Sequence, residues 1–131
     1  MNWIEYLKIP YKPLGRSKEG ADCYGFFLII QKEIYGKDFD DLFYTNIQSR
    51  NDAIELQKKK YKFEKIEKPV EGCAVVMYNR GIPSHIGTYI GDGKIIHTKL
   101  GTGAIIEEIK NCDVEGYYES LFVWEHIERK I

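Results

Sequence analysis

The sequence predicts an α+β fold, with helices in the first half and antiparallel strands in the second. Three observations carry this. Apolar residues recur at helical spacing from Cys23 to Ile34. After residue 73 the texture changes to short β-rich runs, CAVVMY, SHIGTYI and KIIHTK. Glycine and Asp-Gly signals, NRGIP and GDG, separate those runs closely enough for hairpins.

In chain order, NWIEYLK reads as a short helix with Trp3, Ile4 and Leu7 on one side. Pro10, Pro13 and Gly15 end regular structure, and a loop continues through GRSKEG. Asp22 is the candidate N-cap of the next helix. Its stripe is Cys23, Phe26, Phe27, Ile30 and Ile34, stopped at Gly36. A further helix is predicted around Asp52 to Tyr61, with the lysines at 58–60 as a solvated face. The strand runs follow, with further strands expected at AIIEEI and SLFVWEHI.

The 131 residues are read as one domain, 1–131, with a single core. A formal net charge of −1 offers no electrostatic footprint for nucleic acid or an anionic membrane. MNWIEYLKIPYK has no apolar h-region, and no run approaches membrane-spanning length. The expectation is synthesis in the cytoplasm without a signal peptide. Three cysteines with no CxxC pair leave at least one thiol free within a chain.

Cys23 is the residue to explain. At the first turn of a helix, partial positive charge and open N–H groups favour a thiolate and can hold an oxyanion. Asp22 works slightly against the thiolate. A small buried side chain is the competing reading. His85 and His97 lie on consecutive predicted strands and can supply a base and its orienting partner. Zinc is the other chemistry for a cysteine and two histidines, but no two ligands sit at motif spacing. Cys73 and Cys112 read as structural, and His126 as a surface residue.

The hairpin register decides whether the two imidazoles meet. With a two-residue Asp92-Gly93 turn, His97 falls opposite Thr88, on the wrong face from His85. With a three-residue loop, or a bulge of equal effect, it falls opposite Gly87, diagonal to His85. The catalytic reading requires the three-residue loop or such a bulge, and the prediction is that both rings lie on one face, toward Cys23, with Gly87 leaving room for an imidazole.

DCYGF, GCAVVMY and SHIGTYIGDGKIIH together resemble the NlpC-type cell-wall cysteine peptidases of the papain-like superfamily. The upstream YLKIPYKPLGRSKEGADCYG and the late GYYE resemble the phage-tail-associated branch, and the likeness spans about residues 3 to 120. The resemblance implies a papain-like fold and a cysteine-type endopeptidase acting on murein stem peptides, without metal or cofactor. Cys23 would attack, His85 act as base, His97 orient it, and Tyr11 help form the oxyanion site. It also implies a virion tail location, tail-protein partners and action in the cell wall, with no nucleic-acid or membrane partner. An inactive tail structural or wall-binding protein and a thiol acyltransferase are the rival readings. Two departures stand out. Tyr24 replaces the usual Ser or Trp of the groove wall, and Cys73 replaces an Asp that supplies a structural hydrogen bond.

Overall fold

The computed structural model describes residues 2–40 and 50–122. Helix α1 (Ile4–Leu7) is a single turn. A small hairpin, β1 (Arg16–Ser17) and β2 (Gly20–Ala21), occupies what the sequence reads as a loop. Then come α2 (Cys23–Glu33), α3 (Arg50–Lys60) and β3 (Phe63–Ile66). The remaining strands are β4 (Ala74–Asn79), β5 (Ile82–Gly91), β6 (Lys94–Lys99), β7 (Gly103–Glu108) and β8 (Val114–Ser120). Six strands form one antiparallel sheet in the order β3-β8-β4-β5-β6-β7.

Strands β4 to β7 are the expected meander; β8 then crosses back to pair with β4. Sequence reading missed β3 and β8, whose charged and tyrosine-rich runs lack a clear apolar alternation. The expected strand at SLFVWEHI and His126 lie mostly outside the described residues.

Both turns that shape the site are two-residue turns with positive φ at each position. Arg80 and Gly81 (φ 55° and 78°) join β4 to β5, and Asp92 and Gly93 (φ 53° and 70°) join β5 to β6. That geometry matches the twist of paired strands.

The core lies on both faces of the sheet. On one face, Cys23 and Phe27 of α2 and Ile54 of α3 pack against Ala74, Val76, Ile86 and Tyr118. Beside them Phe26 and Ile30 meet Tyr6, Ile9, Ile96 and Ala104. Full burial of each of these phenylalanines contributes on the order of 1.5–3 kcal/mol. Buried Gln31 of α2 donates to Gly72 O at 3.0 Å and Thr88 Oγ1 at 3.1 Å, fixing the helix to the sheet through satisfied polar contacts.

The opposite face carries Val75, Met77 and Ile95. It is covered by the β7–β8 connection, a 3-10 turn at Ile109–Asn111 followed by Cys112 and Val114.

The α1 stripe differs from expectation. Tyr6 is its buried residue, while Ile4 and Leu7 are exposed. One helical turn cannot bury a whole stripe. Tyr6 wins because its ring packs on Trp3 and its hydroxyl donates to Glu33 Oε1 at 2.9 Å. The lysines at 58–60 line the outside of α3, Lys58 lying over the Tyr118 ring and Lys60 pairing with Asp40.

Candidate active site

Cys23 is the first residue of α2. Asp22 caps the helix in extended conformation, its Oδ1 accepting from Gly25 N at 2.8 Å. The same oxygen accepts from Arg16 Nη1 at 2.9 Å. The guanidinium offsets the carboxylate that would otherwise oppose a thiolate at Cys23. Arg16 also lies over the Tyr24 ring, 5.1 Å from its centroid. Tyr24 is fully buried. It packs beneath the Arg16 side chain.

The glycines of this corner are required by close approach. A Cβ on Gly25 would sit 2.1 Å from Gly15 O, and one on Gly15 would sit 2.3 Å from Gly20 O. The Gly-Arg-Ser turn and the glycine after Asp-Cys-Tyr thus pack backbone on backbone. Tyr11 is tied to the same corner by an isolated parallel bridge to Ala21. Lys12 N donates to Ala21 O at 3.1 Å, and Ala21 N donates to Pro10 O at 3.0 Å. Half-buried Tyr11 therefore flanks the chain two residues before Cys23.

On the sheet, the β5–β6 ladder pairs Gly91 with Lys94, Tyr89 with Ile95 and Thr88 with Ile96. The turn has two residues, so the offset does not come from a three-residue loop. A bulge at Ile90 supplies the missing offset. Continuing the register places His97 opposite Gly87, and a Cβ on Gly87 would lie 3.0 Å from His97 Cβ. The imidazoles meet, His85 Nε2 lying 2.7 Å from His97 Nδ1.

The histidines share a face with Met77, the cross-strand partner of His85. Ile86, next to His85, points the other way into the cluster that holds Cys23. The nucleophile candidate and the histidine pair therefore approach the same stretch of β5 from its two sides, where β5 has passed the end of its ladder with β6.

Sequence reading missed Glu107. His97 pairs with Ile105 on β7, so Glu107 lies diagonally across on the same face. His97 Nε2 is 2.9 Å from Glu107 Oε1. Alternation along AIIEEI is the signal that could have found it.

Burial pushes His97 below the usual imidazole value, outweighing the upward pull of Glu107. Burial acts to raise Glu107, but the His97 hydrogen bond and the Lys99 charge outweigh it and hold the carboxyl below its usual value. At neutral pH an ionised Glu107 can only accept, so His97 carries its proton on Nε2. His97 Nδ1 is then an acceptor, and His85 must donate from Nε2. When neutral, His85 so fixed has its lone pair on Nδ1.

All three cysteines are free thiols. Cys73 is buried just ahead of β4, where burial raises its pKa. Its N–H donates to Val70 O, and its carbonyl accepts from Tyr89 N. Cys112 lies beside Glu107, and burial with the nearby carboxylate pushes its thiol up to about 11.

The NlpC/P60 family model matches residues 8–123. Among solved structures, the NlpC/p60 domain of the peptidoglycan hydrolase SagA superposes with a TM-score of 0.65 at 18% identity, covering 88% of this chain and 91% of that one. An NlpC/P60 family protein from Bacillus cereus ATCC 10987 superposes with a TM-score of 0.62 at 23% identity, over 86% of this chain and 36% of that one. No curated protein sequence matches the chain. These likenesses bear out the mixed helix and antiparallel-sheet fold of papain-like type.

Proposed function

The chain belongs to the NlpC/P60 family, and from that premise we propose that residues 1–131 form one cysteine-type endopeptidase domain that hydrolyses amide bonds in peptidoglycan stem peptides. The observation that carries the reading is the Glu107–His97–His85 chain on the strands that α2, the helix that begins with Cys23, packs against.

In this reading His85 Nδ1 takes the Cys23 proton and the thiolate attacks the scissile carbonyl carbon. The backbone N–H of Cys23 and the Tyr11 hydroxyl hold the oxyanion. The imidazolium of His85 then protonates the leaving amine, giving an acyl-thioester. Water, deprotonated by His85, cleaves the thioester and frees Cys23. His97 and Glu107 position His85 without touching substrate.

We place the protein with phage or prophage tails, on the likeness of YLKIPYKPLGRSKEGADCYG to that branch. Its partners there are tail proteins, and its place of action is the cell wall.

One observation favours a second reading, a wall-binding or tail assembly protein without turnover: Cys23 is only 1% exposed. Digestion of purified murein, with fragments identified by mass spectrometry, separates the two. New amino and carboxyl ends within stem peptides, absent with Cys23→Ala, are expected. Intact peptides, or new reducing sugar ends, would overturn the peptidase reading.

A further inference from the structure

The cover over the histidine face brings a third kind of donor to the pair already described. His97, Glu107 and Cys112 each offer a ligand atom, and these atoms lie within 4.8 Å of one another. His97 is buried, while Glu107 and Cys112 are half-buried. One nitrogen, one carboxylate oxygen and one sulfur form a donor set that suits zinc better than calcium or magnesium.

We propose that His97 Nε2, a Glu107 carboxylate oxygen and Cys112 Sγ bind a borderline divalent cation such as Zn²⁺, and that the bound ion sets His85 in the tautomer that cannot act as base. The second half rests on the peptidase reading; the first does not.

Ligand bonds of about 2.0–2.3 Å require donor separations of roughly 3.3–3.8 Å in a tetrahedral site. The cluster meets this by small movements of Glu107 and Cys112, with His97 held in the sheet. The ion takes the place of the proton in the 2.9 Å His97–Glu107 hydrogen bond, and the remaining contacts are weak. Cys112 Sγ is 3.5 Å from Glu108 O, and the exposed Lys99 ammonium is 3.7 Å from Glu107 Oε1. Lys99 can swing into solvent as the ion arrives. Water fills the fourth position.

The proton balance gives the consequence. The ion replaces the proton on His97 Nε2 and the proton on Cys112, and both leave to solvent. Neutral His97 must then carry its proton on Nδ1, taken from His85 Nε2. His85 regains one from solvent at Nδ1, the atom that would accept from Cys23. The net release is one proton, and the base is blocked.

The test uses the full chain carrying Cys23→Ala, so that Cys23 cannot ligate and activity plays no part. Titration with Co²⁺ is expected to give a near-ultraviolet thiolate-to-metal band that Zn²⁺ displaces. Cys23→Ala/Cys112→Ser should lack the band, and Cys23→Ala/Glu107→Gln should bind Zn²⁺ at least tenfold more weakly by calorimetry. No band, or the same band without Cys112, would overturn the site. Nitrogen NMR of the imidazoles in the same protein reads the switch. His85 protonated on Nε2 without metal and on Nδ1 with Zn²⁺ is the expected change, and an unchanged tautomer would overturn that half.

Discussion

The two halves of the candidate site are held by different means. The Cys23 corner is fixed by backbone packing. Gly15, Gly20 and Gly25 touch main chain to main chain, and Asp22 joins the cap to Arg16. The histidine side is fixed by strand register. A bulge at Ile90 sets His97 opposite Gly87, and side chains from β5, β6 and β7 complete a relay. The first arrangement leaves little room for error because no atom can be added. The second tolerates change in stability terms but depends on each side chain for its chemistry.

The largest effect should come from breaking the backbone corner. Gly25→Ala puts a methyl 2.1 Å from Gly15 O, where only backbone can yield. A loss of roughly 3 kcal/mol or more is expected by denaturant unfolding, and a near-neutral result would contradict the close packing. The matching change on the sheet, Gly87→Ala, meets His97 Cβ at 3.0 Å, Ile96 O at 3.1 Å and the end of the Met77 side chain at 3.2 Å, all less close than the 2.1 Å at Gly25. Here the cost should be about 1 kcal/mol, with murein hydrolysis falling more than tenfold. Equal stability losses in the two variants would erase the distinction between the two halves.

Within the relay, the effect should shrink with distance from the base. His97→Ala removes the acceptor for His85 Nε2, and about a hundredfold loss in kcat is expected. Glu107→Gln keeps an acceptor but loses the charge, so about a tenfold loss is expected, in kcat more than KM. A Glu107→Gln protein that loses as much as His97→Ala would make Glu107 more than a positioning residue.

The smallest effect is a pH dependence of stability. His97 has its folded pKa below the unfolded value of 6.5 because burial opposes its charge. The unfolded chain binds more protons, so this contribution is present above about pH 6.5 and is lost as pH falls. Thermal unfolding from pH 7.5 to 5 should show a falling midpoint, with part of the slope removed in His97→Ala.

The same contrast explains what the sequence could reveal. The Cys23 corner is legible because its contacts are local and demand particular residues: a cap at Asp22 and glycines where no side chain fits. β6 matches the run KIIHTK residue for residue. The register of His97 was open, because a bulge and a longer loop have the same consequence and leave the same sequence. Alternation along AIIEEI could place Glu107 on a strand face, but nothing local names it or Cys112 as a partner of His97. Their meeting depends on a β6–β7 diagonal and on a connection folding over the sheet face. Strand β8 was missed since its pairing with β4 is long-range and its composition weakly patterned.

The peptidase reading makes Cys23 an activated nucleophile served by His85. The most direct measurement is the rate of alkylation of each thiol by iodoacetamide against pH, read by mass spectrometry in the folded protein and in His85→Ala. Burial holds the Cys73 and Cys112 thiols protonated at neutral pH. Cys23 is expected to react fastest near pH 7 and to slow at least tenfold in His85→Ala. Equal labelling of the three cysteines, or a Cys23 rate unchanged by His85→Ala, would contradict it.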